Sequence, residues 1–364
     1  MKASMIGLAL AAGLATGAQA AVISMSLIQT IDTTSTSNSA NAEYVGNNVS
    51  AIAWNGSSLY VGGYVSAAGN TGISRYNGGV WSAAFGVAAT AQGSRGFTGL
   101  AVKGNTLAAG WDGGANSVNS VRAFNATTGA QNWATGGGTP DATRRASGGA
   151  NFDPGFNGAG TNQGVSYLAL GSGRRHLEDT TTGNYINGQN AGAIINFTPA
   201  GTTWRGHAFD SATGDLYTRE SNRVGKAVRN GDNSFATISG AQSNVIYSTV
   251  VASGVDNQNI AFASTTAYGN LIFLNDRSSA ANGQAFASVI KCIDTTGAVQ
   301  TLNLGAFSAL NGNGAYSFSF DAGTQTLAIS DFANRAVYIF AVPAPGATAM
   351  LGLAGLIAGR RRRS

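Results

Sequence analysis

Between about residue 23 and residue 342, apolar residues alternate with polar ones or gather in runs of five to seven. Gly, Asn, Asp and Thr bound each run. Alternation with a period of two marks half-buried strands, and short apolar runs between turn residues mark buried ones. No stretch keeps the 3.6-residue period of an amphipathic helix. Four strands are predicted close together, at 49–54, 58–64, 72–76 and 80–85. The plan repeats at 99–103, 106–111, 117–124 and 130–133. Further copies run over 164–204, 206–238 and 259–304. The last copy, 316–342, holds only three strands, at 316–320, 326–331 and 335–340.

Two recurrences support the repeat. Trp81, Trp133 and Trp204 each fall in a predicted fourth strand, shortly before a new copy begins. A turn sequence also recurs, starting at Asn125, Asp179, Asp210 and Asp294 and ending at Gly129, Gly183, Gly214 and Gly297. An Asx side chain can bond the backbone two residues on, and glycine can take a positive φ at the exit. Four-stranded units at this spacing predict an all-β fold, a β-propeller of about six four-stranded blades. The strand missing from the last copy is assigned to 26–31, beside 335–340, so that an N-terminal strand closes the ring. A β-sandwich or a β-solenoid would also give many short strands with Asn- and Gly-rich turns. Two long stretches interrupt the plan. Residues 136–164 read as disorder or plain surface loop. Residues 171–192 gather Arg174, Arg175, His176, Glu178 and Asp179, a weak candidate surface site in a chain only 10% charged.

The ends depart from the strand pattern. Lys2 precedes an apolar run from Met5 to about Ala15, and Ala18-Gln19-Ala20 follows. A charged start, a short apolar core and an A-x-A site make residues 1–20 a secretory signal peptide, cut between Ala20 and Ala21. At the other end, Pro343-Ala344-Pro345 is followed by an uncharged stretch rich in Leu, Ala and Gly, and then by Arg360, Arg361, Arg362 and Arg363. Residues 347–359 would span only about 20 Å as a helix, short of a ~30 Å hydrocarbon core. The arginines would stay on the cytoplasmic side. This tripartite tail resembles the PEP-CTERM sorting signal of Gram-negative-type bacteria, whose motif is Pro-Glu-Pro; here Ala344 stands in the glutamate's place. The resemblance covers only residues 343–364. It implies a transient membrane anchor and cleavage near the prolines by an exosortase-like sorting protease, after signal peptidase has acted at the other end. The expected location is the cell envelope, the cell surface or, after tail processing, the medium. The expected organisation is signal peptide 1–20, propeller-like domain 21–342 and sorting tail 343–364.

Charge changes the picture only by subtraction. The formal net charge is +5, but without Lys2 and the four terminal arginines the remaining basic residues balance the 16 acidic ones. A neutral body gives no basic patch for nucleic acid. The single cysteine, Cys292, excludes an intrachain disulfide framework and reads as a buried strand residue. His207, at a predicted blade start, reads as a structural hydrogen-bonding residue. The chain holds no nucleophile elbow, zinc-protease helix, EF-hand loop or P-loop. No catalytic, cofactor or metal residue is therefore nominated, although Asp and Asn oxygens in turns could hold an unlocated Ca²⁺. The leading expectation is a non-catalytic binding or extracellular-matrix protein, associated with exopolysaccharide or a surface protein, with Trp111, Tyr64 and Tyr76 as candidate platforms for sugars. The alternative is an extracellular propeller hydrolase or lyase acting on a sugar or lactone, which would need inward carboxylates and histidines on the blade-start strands.

Overall fold

The computed structural model describes residues 22–33, 48–64, 69–90, 96–112, 120–135, 149–158, 164–168, 175–184, 204–220, 223–235, 245–248, 259–276, 289–305, 315–331 and 334–342. They form strands and one 3-10 turn, Phe156–Gly158. β1 (Ile23–Ser24) and β2 (Ser26–Asp32) come first. The first blade holds β3 (Asn48–Trp54), β4 (Ser58–Tyr64), β5 (Gly69–Asn77) and β6 (Val80–Trp81), with β7 (Phe85–Thr90) also pairing β5. The second holds β8 (Gly96–Lys103), β9 (Thr106–Asp112), β10 (Ser120–Asn125) and β11 (Gln131–Ala134). In the third are β12 (Ala150–Asp153), β13 (Gly164–Leu168) and β14 (Arg175–Glu178). The fourth is β15 (Trp204–Phe209), β16 (Leu216–Glu220), β17 (Arg223–Ala227) and β18 (Val245–Ser248). The fifth is β19 (Ile260–Thr265), β20 (Gly269–Asp276), β21 (Val289–Asp294) and β22 (Val299–Gln300), followed by β23 (Leu302–Asn303). The last sheet has the order β2-β26-β25-β24, from β24 (Ala315–Asp321), β25 (Thr326–Asp331) and β26 (Ala336–Ala341).

Within each of these sheets neighbouring strands are antiparallel, and each sheet packs on the next until the last meets the first. The chain is a β-propeller. The N-terminal strand closes the ring, with Ile31 opposite Val337 and Ser26 opposite Ala341. A second pairing extends the closure: β1 runs parallel to β23, Ile23 opposite Leu302, so the N-terminal segment ties the fifth blade to the last. Apolar clusters fill the gaps between blades. Phe273, Cys292 and Leu271 of the fifth meet Leu327, Ile329 and Phe340 of the last, all at most 2% exposed.

The count of full blades differs from the sequence expectation. Five sheets carry four or five strands, and the third carries three. Trp204, expected in the fourth strand of that copy, instead opens β15 opposite Glu220, and 185–203 lie outside the described residues. The third blade also starts earlier than expected. β12 lies inside 136–164, the stretch read as disorder or surface loop, and Ala150 and Asp153 are buried. Gly149, Pro154 and Gly155 crowd this four-residue strand with turn signals, which hides it in the sequence.

The recurring turns form as expected. In each, the first Asx Oδ1 accepts an N–H two residues on, as Thr127 gives to Asn125 and Thr181 to Asp179. Each closing glycine has a positive φ, from 70° at Gly183 to 93° at Gly297. These glycines also seat the preceding blade. A Cβ at Gly183 would lie 2.6 Å from the Trp133 ring, and Trp133 Nε1 donates to Thr180 O at 2.8 Å. An outermost-strand tryptophan thus docks on the next blade's turn.

Candidate functional site

Six innermost strands, β3, β8, β12, β15, β19 and β24, surround the axis. A cavity of about 310 Å³ opens between them, and every one of them lines it. The residues that do so repeat a local pattern: a small residue, then a large apolar one, then usually Asx. Ala53-Trp54-Asn55, Asn151-Phe152-Asp153, Ala208-Phe209-Asp210 and Ser319-Phe320-Asp321 follow it, while the second and fifth blades place Val102 and Phe262 at the large position. Phe152, Phe262 and Phe320 remain half-buried at the mouth. Phe262 rests on the buried Tyr217 ring, stacked at 5.7 Å and 20°. Tyr217 in turn receives Lys226, whose Nζ lies 3.0 Å from Asp215 Oδ2. Burial raises the Tyr217 phenol above its ordinary range, with Lys226 opposing. Burial pulls the Lys226 ammonium down, but the bonds and charges of Asp215 and Tyr217 together outweigh it and the net direction is up.

Beyond the mouth the axis narrows to a neck of about 40 Å³. Gly99 and Gly149 touch there; a Cβ on Gly99 would lie 2.6 Å from Gly149 Cα. Polar side chains near the axis lace one inner strand to the next. Ser50 Oγ donates to Phe97 O at 2.8 Å, Asn151 Nδ2 to His207 O at 3.1 Å and Asn259 Nδ2 to Tyr316 O at 3.0 Å. Trp54 N donates to Ser319 Oγ at 2.9 Å. These bonds hold the wall rigid. They also satisfy buried groups that would otherwise be costly.

The carboxylates that follow the large position do not serve the cavity. Asp153 is fully buried and forms an ion pair with Arg229. Asp210 accepts from Ala212 N and Asn270 Nδ2. Asp321 caps its own turn through Thr324. The Arg229 guanidinium also donates to Gly214 O and Asn233 O, and packs on the Phe235 ring at 4.2 Å. Burial lowers its pKa to about 10, still far above neutrality, so it stays charged opposite Asp153.

The residues singled out in the sequence are spread over the molecule. His207 lies on β15 in the neck, 4% exposed, edge-on to Phe209 at 5.7 Å. Arg175, His176 and Glu178 fall on β14, next to Asp179. Asp179 Oδ1 is engaged by Thr181 N and Thr182 N, which, with the Thr182 hydroxyl, hold the carboxyl below its usual range. Arg174 lies outside the described residues, as do Ala20, Ala21, Pro343, Ala344, Pro345 and Arg360 to Arg363. Cys292 is fully buried on β21, and burial pushes its thiol up. Trp111 is no sugar platform: it is 1% exposed, edge-on to Phe97 and covered by Arg122. Tyr76 packs on Trp81 at 5.2 Å. Among the described residues no group of three His, Cys, Asp or Glu could hold a metal ion. The sequence reading missed the cavity-lining phenylalanines; the small-aromatic-Asx repeat is the signal that marks them.

No family model and no curated protein matches the chain. Solved structures do. One is an auxiliary nutrient binding protein from Bacteroides thetaiotaomicron, at 11% identity and a TM-score of 0.53, covering 81% of this chain and 69% of that one. Another is the computationally designed Ika8 protein, at 11% identity and a TM-score of 0.37, covering 81% and 71%. The first likeness is one of fold.

Proposed function

We propose that this is an exported protein, sorted to the cell envelope or surface by its tail, that binds a small ligand without turnover in the axial cavity. The observation that carries the reading is the cavity itself. All six inner strands feed it, half-buried phenyl rings line its mouth, and the carboxylates beside those rings are engaged in an ion pair or in turns. A concavity that combines apolar rings with a few placed polar groups is a usual form of a ligand site, and about 310 Å³ sits at the small end of the ~300–1,000 Å³ range. The nutrient-binding role named for the Bacteroides protein of similar fold agrees with it. Export and sorting rest on the two terminal segments, with signal peptidase and an exosortase-like protease as processing partners.

The test uses cellobiose, lactose and gluconolactone, which a hydrolase would consume, each set against a protein-free control because the lactone opens in water by itself. Saturation-transfer NMR should show contact between the protein and at least one of them, with none consumed overnight. Ala101→Trp, at a half-buried lining position outside the core clusters, should obstruct the cavity and abolish the transfer. Consumption of a probe would establish the enzymatic alternative, and transfer that survives in the variant would move the site elsewhere.

A further inference from the structure

Lys103 is the one charged side chain on the cavity lining among the described residues. It is exposed, at the end of β8, and among the described residues it has no carboxylate partner. The acids that could have neutralised it are committed elsewhere: Asp153 to Arg229, Asp210 to its turn and to Asn270, and Asp321 to Thr324. The mouth therefore combines flat apolar faces with one cation that no described carboxylate pairs. Its remaining polar groups are small: the Ser211 and Ser319 hydroxyls and the Asn151 amide.

We infer, on the basis of the axial-site reading above, that the cavity takes a sugar ring bearing a carboxylate, a uronic acid. A pyranose has an apolar C–H face and a polar edge. The face suits Phe152, Phe262 and Phe320, which have no polar tip to interfere. Ring hydroxyls suit Ser211 and Ser319. A carboxylate at the ring's end meets the Lys103 ammonium, where the apolar walls weaken competition from water. A purely aromatic acid would leave the Ser211 hydroxyl without use, since Asn151 is already bonded to His207 O and Phe152 N. The volume admits one or two rings, so the ligand is a free uronate or the end of an acidic chain.

Galacturonate and galactose differ only in whether C6 is a carboxylate or an alcohol, so the pair isolates the charge. Titration calorimetry at low salt should give galacturonate an affinity about 1.5- to fivefold higher than galactose, the range for an exposed, partly screened ion pair. Lys103→Met should bring galacturonate down to the galactose level and leave galactose unchanged. Lys103→Arg should keep the preference. Equal affinities in the wild type, or a preference that survives Lys103→Met, would overturn the uronate assignment while the axial site stands. Benzoate binding more tightly than galacturonate would overturn the sugar assignment. Galacturonate binding that is unchanged in Ala101→Trp, or absent together with galactose binding in the wild type, would overturn both readings.

Discussion

The junction between the fifth and last blades and the junction between the third and fourth solve one packing problem in opposite ways. The first has an apolar centre: Phe273 and Cys292 meet Leu327 and Phe340, and amide bonds such as Asn275 to Ala315 O lie at its margin. The second turns on a buried ion pair. Asp153 faces Arg229 with both side chains fully buried, Gly155 N donates to the same carboxylate, and Asn233 links the 3-10 turn to Arg229. An apolar contact loses its own burial when a side chain is cut away. A buried ion pair loses far more when one partner goes than when both do, because a lone buried charge has nothing to offset its desolvation.

Opening the ring should have the largest effect. Deleting residues 22–32 removes both β1 and β2 and exposes the edge of β26 with its apolar face, and should cost several kcal/mol in urea unfolding. Unchanged unfolding would argue against closure by this strand. Next come the two junctions. Arg229→Met should destabilise by about 3–5 kcal/mol, with Asp153 left alone. Phe273→Ala should cost a similar ~3–5 kcal/mol through its cavity. Double variants separate them. Adding Asp153→Leu to Arg229→Met should recover much of the loss, whereas adding Leu327→Ala to Phe273→Ala should deepen it. No recovery in the first pair would remove the contrast. A smaller effect is expected at the docking turn, where Trp133→Phe keeps the ring against Gly183 but loses the bond to Thr180 O, about 1 kcal/mol in thermal unfolding.

The smallest effect concerns acid. Hydrogen bonds from Thr182 hold Asp179 low. At Asp294 burial pushes up, but bonds from Thr296 and Ala298 outweigh it and the net direction is also down. A carboxyl depressed in the folded state contributes stability above its unfolded value, about 4, and loses it as pH falls through the folded value. Melting temperature should therefore drop below about pH 4. Asp179→Asn with Asp294→Asn should flatten that limb, because Asn125 builds the same turn with an oxygen that does not titrate. An unchanged acid limb would place the loss in other carboxylates.

The contrast between junctions also separates what the sequence showed from what it hid. Strands such as β25 and β26 are apolar runs between clear turns, so their existence, and the need for 26–31 beside the last of them, could be read directly. The clasp could not. Asp153 and Arg229 lie 76 positions apart. Asp153 sits in a four-residue strand whose neighbours Gly149, Pro154 and Gly155 all signal a turn. Trp204 misled for a related reason: aromatics at the end of earlier copies suggested an outermost strand, but register with Glu220 makes it the start of an innermost one. The cavity was hidden because each phenylalanine, taken singly, reads as core; only the repeat across inner strands brings them to one mouth. Trp111 was chosen for its size, and burial removes it.

The pairing of β2 with β26 sets an order of events. The first strand of the ring to leave the ribosome is the partner of the last. Throughout synthesis β2 has no β26 to pair with, and the Thr33 contact to Arg335 spans 302 positions. Each blade built from local hairpins can form as its own strands appear, but the ring stays open until residue 341 is available. Closure is therefore the final and slowest kind of step, one that joins the most distant parts of the chain. A chain that is held or translocated before that point has an unlocked last blade, and the same molecule becomes fully resistant to unfolding only when its two ends meet.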